Sequence, residues 1–276
     1  MNERSTHGHP ARTLSRGLMA ALLLSAMSAP LIVSAQTAAQ QKLQRTPTET
    51  VREFYKALRE RRFREAFALS IYKPAIDGLS REEFEDLRPD FDRMGAAIPD
   101  KVEISGEQIS SDTATVFVKI LGDETGATAQ AEPISLMRTK GGEWIVGDPA
   151  NEKIVQKDGK EFFFKARINT HHTEVRAMMQ RIMLAEVVYG KQHNGQFADL
   201  SMLINAGLIP KDIEATESTG YRFHITLAPD RKSYTAGAEP ARYNRTGRYS
   251  FYLDNKSGIQ EDDVGGKPLV PSPKKD

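Results

Sequence analysis

The feature that most constrains this chain is a change in its hydrophobic period. From Thr48 to Met94 apolar residues recur at the spacing of amphipathic helices, and from Lys101 they alternate, as half-buried strands require. Val51, Phe54, Tyr55 and Leu58 form one helical stripe, and Phe63, Ala66, Phe67 and Leu69 form a second. Ala114, Val116, Val118 and Ile120 then fall on one side of a strand, with Thr113, Thr115, Phe117 and Lys119 on the other. Helices first and an antiparallel meander after, with turns at Ser110-Ser111-Asp112 and Gly141-Gly142, predict an α+β domain in which N-terminal helices pack on a curved antiparallel sheet.

Local signals sharpen this order. Thr48 is the expected N-cap of the first helix, and Ser80 with Glu83 three residues later forms a capping box for the third, which Pro89 is expected to break in two. Val102 and Ile104 open the strands, followed by Ile134 to Arg138 and Glu143 to Val146. Asp148 to Lys160 is polar and carries Pro149 and Gly159, which marks residues 149–160 as a linker behind a domain at 46–148. The helical period returns at Glu161 and runs to about His193, with Val175, Met179, Ile182, Ala185 and Tyr189 along one side. A chain of 276 residues accommodates two such domains, the second at 161–264, with 265–276 left as a disordered tail.

The run Thr48-Glu-Thr-Val-Arg-Glu-Phe-Tyr-Lys-Ala-Leu58, then Phe63 and Ala66, then a last strand Gly142-Glu-Trp-Ile-Val-Gly-Asp148, resembles the cone-shaped domains of the nuclear transport factor 2-like superfamily over about residues 44–148. That resemblance implies a curved sheet folded around helices to form a pocket, in a superfamily that includes isomerases, dehydratases and many bacterial secreted domains. Beyond residue 160, Ala185-Glu-Val-Val-Tyr189, Gly195-Gln-Phe-Ala-Asp-Leu200, Ala206-Gly-Leu-Ile209, Ser218-Thr-Gly-Tyr-Arg-Phe223 and Asp254-Asn-Lys-Ser-Gly-Ile259 occur in order. They resemble the globular part of bacterial type IV pilin-like proteins over about 166–262, which implies a long helix packed on a second antiparallel sheet. The chain departs from the pilin pattern at its start: Leu22 stands at the fifth residue after Gly17 where pilins carry glutamate, and an entire domain separates the N-terminal apolar segment from the helix at Glu161. Assembly into filaments by the ordinary route is therefore not expected.

The first 35 residues read as an export signal. Arg4, Arg12 and Arg16 precede an apolar centre from Leu18 to Met27, and Val33-Ser34-Ala35 offers a small-residue cleavage site before a flexible, glutamine-rich leader at 36–45. A retained anchor is the competing reading, because Gly17 to Ala35 is uncharged and nearly long enough to span a bilayer. With that segment and its three arginines and Glu3 set aside, 35 basic residues face 36 acidic ones, which lacks the cationic excess of a nucleic-acid binder. The chain has no cysteine, so disulfides, thiolate metal sites, a cysteine nucleophile and a lipoprotein anchor are excluded. A periplasmic or extracellular location follows as the expectation, with no membrane attachment beyond the signal segment.

Catalytic motifs are sparse. Ser70-Ile71-Tyr72-Lys73 has the serine-x-x-lysine spacing of penicillin-interacting enzymes, but the partner motifs fail at Thr113 and at Thr139-Lys140-Gly141. His171, His172 and Glu174 are the best metal-like cluster, yet only His171 and Glu174 share a helix face, so a solvated surface is expected there, and no metal or cofactor. Asp254 to Gly258 fits a hairpin turn better than a calcium loop, and Glu261-Asp262-Asp263 a solvated acidic run. Of the basic clusters, Arg59 to Arg64 reads as a solvated helix turn, while Arg242 to Arg248 interleaves with Tyr243 and Tyr249, of which Tyr249 falls on a core face with Phe251 and Leu253. The candidate pocket residues are Glu132, which alternation places with Gln130 beside Ile134 and Leu136, and Tyr55 on the first helix. The expected function is a non-catalytic two-domain interaction protein with envelope or secretion-system proteins as partners. Two alternatives stand beside it: a small-molecule-binding or isomerase-type pocket in the first domain, and an accessory subunit of a type IV pilus or type II secretion system.

Overall fold

The computed structural model describes residues 45–99, 101–120 and 131–270. The expected export signal and most of the leader, Gln130, and the last six residues lie outside the described residues. The fold is α+β and divides into two compact units, 1–163 and 164–276.

In the first unit, α1 spans Pro47–Arg59, α2 Phe63–Ala68, α3 Lys73–Asp77 and α4 Arg81–Ala96. The N-cap of α1 is Thr46 rather than Thr48. Thr46 Oγ1 accepts from the Glu49 amide, Glu49 Oε2 accepts from the Thr46 amide at 2.8 Å, and Pro47 at N1 presets the first turn. The capping box of Ser80 and Glu83 starts α4 as expected, but Pro89 does not break that helix. Pro89 sits on the solvent side, where its missing N–H and its ring can be absorbed by a bend, while Phe84, Leu87 and Phe91 anchor both halves to the core. Helices α1 and α4 approach closely at Gly95, where an added Cβ would lie 2.6 Å from the Leu58 carbonyl oxygen.

Strands β1 (Val102–Ser110), β2 (Thr113–Ile120), β3 (Ala131–Arg138) and β4 (Trp144–Val146) form an antiparallel sheet in sequence order, with a register shift between Ile104 and Gly106. Alternation turns Val116, Val118, Ile134 and Leu136 into the core. Residues 149–160, expected as a linker, instead form helix α5 (Pro149–Asp158) and the start of a 3-10 turn at Gly159–Glu161. Asp148 caps α5 by accepting from the Ala150 and Asn151 amides, and Val155 is fully buried. The polar composition hides a helix start signature, an N-cap aspartate followed by proline. The first unit closes on an aromatic cluster in which Phe91 contacts the rings of Phe63, Phe67, Phe84 and Phe163 at 5.1–5.6 Å between centroids.

Helix α6 runs from Phe162–Gln192, and all but its first two residues belong to the second unit. Behind it come α7 (Leu200–Asn205), a 3-10 turn at Lys211–Glu214 and α8 (Thr216–Thr219). Strands β5 (Tyr221–Leu227), β6 (Tyr234–Pro240), β7 (Ser250–Asp254) and β8 (Gly258–Asp262) form a second antiparallel sheet, again in sequence order. Val175, Met179, Ile182 and Tyr189 on α6 belong to the same buried cluster as Ala236, Phe251 and Leu253. Glu261 is not part of a free acidic run, since both its carboxylate oxygens accept from Arg176 at 2.6 Å, and Asp263 accepts from Arg248 and Tyr243. Residues 265–270, expected within a disordered tail, are part of the folded unit, with Pro268 to Val270 beside the second sheet. No helix among the described residues is long and apolar enough to cross a membrane.

Candidate functional site

An open groove of about 320 Å³ lies in the first unit between α1, the end of α4 and the start of β1. Its floor is apolar: Tyr55 and Ile98 are buried and Val102 is half-buried. Its rim is cationic. The helical period brings Arg52, Lys56 and Arg59 to one exposed face of α1, and the chain entering β1 adds Lys101, with Glu103 the one carboxylate lining the groove among the described residues. The arrangement suits an amphipathic anion, whose charge would meet the rim and whose body would cover the floor.

Tyr55 is 4% exposed and lines this groove. Burial first, and then the negative charge of Glu132, push its hydroxyl well above the ordinary tyrosine value of 10. At neutral pH it is therefore a neutral phenol that can donate a hydrogen bond but cannot serve as a base. Glu132 stands opposite Val118 in the β2–β3 ladder, half-buried on the face that carries Ile134 and Leu136. The structure thus brings Glu132 close enough to act electrostatically on Tyr55, while Lys101 joins the three cations of α1 only through tertiary assembly.

The other candidates are structural. Ser70 Oγ donates to the Phe67 carbonyl at 2.9 Å, and Lys73 pairs with Asp77, so serine and lysine do not face each other. Asp254 Oδ1 accepts from the Lys256 and Ser257 amides, which closes a hairpin turn. His171 and His172 are not a solvated surface: each is 6% exposed. The turn at 242–249, some 75 positions along the chain, covers them. The His171 Nδ1–H donates to the Thr246 carbonyl at 2.6 Å, and His172 Nε2 accepts from the Arg248 and Tyr249 amides at 3.1 and 3.2 Å. A ring nitrogen that accepts two amides must be unprotonated, and burial holds the His172 pKa down at about 4.

Glu186 on α6, not singled out as a site residue in the sequence, is fully buried. Its Oε2 accepts from the Ala198 amide at 2.9 Å and its Oε1 has no hydrogen-bond partner. Burial, opposed by that hydrogen bond, raises its pKa to about 7. These two groups have opposite consequences for the pH dependence of the second unit. Between pH 4 and 6.5 the unfolded chain holds a proton on His172 that the folded state does not, so His172 makes stability rise with pH. Between pH 4.5 and 7 the folded state holds a proton on Glu186 that the unfolded chain has lost, so Glu186 makes stability fall with pH. Each effect amounts to about 3 kcal/mol across its window, and the two nearly offset where the windows overlap. Denaturant titrations from pH 4.5 to 6.5 should show Glu186→Gln gaining stability as pH rises and His172→Gln losing it. Parallel profiles for the two variants would remove one of the assigned titrations.

Comparison of the chain with family models, with curated proteins and with solved structures finds no match.

Proposed function

We propose that this chain is an exported, non-catalytic binding protein built from two modules, the first of the nuclear transport factor 2-like kind and the second pilin-like, and that the first module takes up a small organic anion in its groove. One observation carries the reading: four cationic side chains, Arg52, Lys56, Arg59 and Lys101, rim an apolar floor of Tyr55, Ile98 and Val102. A groove of this size falls at the small end of the range for small-molecule sites, and buried Tyr55 supplies a neutral donor at its base. The envelope location rests on the N-terminal signal pattern.

Phenyl phosphate, with a dianionic head and an apolar ring, is a suitable probe for isothermal titration. The affinity is expected to fall as salt rises, because exposed charges are screened. The double variant Arg52→Glu/Lys56→Glu should weaken binding by at least about tenfold, since it reverses charge on the rim without touching the floor. Undiminished affinity in that variant would place the site elsewhere. The isomerase-type alternative keeps one observation in its favour, the charge of Glu132 acting on buried Tyr55, and it requires a bound substrate to be chemically altered during the same titration.

A further inference from the structure

The outer face of the second sheet carries a feature that its fold does not require. Alternation along β6 sends Ala236 and Ala238 into the core and places Thr235, Gly237 and Glu239 on the opposite face. Gly237 is paired in register with His224 on β5 and with Tyr252 on β7, so these residues stand side by side. A glutamate on such a face is ordinarily solvated, yet Glu239 is 6% exposed. Residues 268–270 line, with this row, a cleft of about 340 Å³ into which the row opens.

The two oxygens of Glu239 differ. Oε2 is 3.4 Å from His224 Nδ1, whereas Oε1 is buried and has no hydrogen-bond partner. Gly237 makes the room: an added Cβ there would lie 2.5 Å from His224 Cε1 and 3.2 Å from Glu239 Oε1. A desolvated carboxylate oxygen without a donor is destabilising, and it is relieved by any group that brings an N–H to it. We propose that this cleft binds the primary ammonium group of an aliphatic amine, with Glu239 Oε1 as its acceptor and the Tyr252 ring and Leu269 flanking the stem.

The chemistry selects that class. A guanidinium binds a carboxylate best through both oxygens, and His224 already occupies Oε2, whereas a compact ammonium needs one. A metal ion would require further protein donors, and no cluster of three metal-ligating side chains occurs among the described residues. Tyr252 and residues 268–270 provide aromatic and apolar surface for a methylene stem. The same ammonium can come from a free amine or from a lysine side chain of a protein.

Amide chemical-shift titration of the full chain tests this with two probes: 1,5-diaminopentane for the free amine, and lysine blocked at both its backbone ends for the side chain. Saturable shifts at Gly237, Glu239 and Tyr252 are expected with at least one probe, and the one that saturates identifies the source. Glu239→Gln keeps the shape and removes the charge, and should weaken binding at least tenfold. Leu269→Lys, a surface change that brings a tethered ammonium to the cleft, should abolish the shifts and decides the matter if Glu239→Gln fails to fold. Absence of saturation with both probes, equal affinity in a folded Glu239→Gln, unaltered binding in Leu269→Lys, or saturation by zinc ion with none by amine would each overturn the proposal.

Discussion

Ile182→Asp is expected to unfold the second unit outright while the first keeps its own cooperative transition. Ile182 is fully buried on α6, in a cluster that includes Met179, Leu203 and Phe251. The substitution removes about 2 kcal/mol or more of apolar burial and places a carboxylate among the apolar side chains of that cluster. An aspartate so placed either shifts its pKa far upward or opens the core, and the combined loss is about 4–5 kcal/mol, comparable to the whole stability of a small domain. Thermal and urea melts followed by circular dichroism should lose one of two transitions. Two undisturbed transitions would contradict the packing, and simultaneous loss of both would contradict the independence of the two cores.

Phe91→Ala is the corresponding change in the first unit. Phe91 is 1% exposed on α4 and sits at the hub of the aromatic cluster, with Phe67 at 5.2 Å and Phe163 at 5.1 Å between ring centroids. Truncation leaves a cavity that four neighbouring rings cannot collapse to fill, at an expected cost of about 3–5 kcal/mol. Phe91→Leu keeps most of the volume and should cost less than about 1.5 kcal/mol. Equilibrium unfolding in urea separates the two. Equal, small losses in both variants would mean that the ring contacts contribute little beyond burial.

What is legible in the sequence follows from local physics. The alternation of Ala114, Val116 and Val118, the capping box at Ser80 and Glu83, and the helical stripe from Val175 to Tyr189 each depend on neighbours within a few positions, and the structure forms the corresponding elements. The α1 cap at Thr46 was also encoded locally, in Thr-Pro-Thr-Glu, but two threonines competed and the one before proline holds the side-chain cap. Polarity misleads at 149–160, where an Asp-Pro helix start outweighs composition. Burial of His171 and His172 is not readable from their own helix, because what covers them arrives from residues 242–249. The groove is half legible: the spacing of Arg52, Lys56 and Arg59 puts three cations on one face, but Lys101 and the apolar floor join them only when α1, α4 and β1 assemble. Glu239 gives no local signal either, since its burial depends on how its sheet face is covered.

A crystal structure of the chain with phenyl phosphate bound tests the anion-binding role most directly. The expected result is the phosphate within hydrogen-bond reach of Lys56 and Lys101, with the phenyl ring against Ile98 and Val102 and the Tyr55 hydroxyl turned toward the ligand. A bound ligand seated elsewhere, with the Arg52-Lys56-Arg59-Lys101 rim left in solvent, would contradict it.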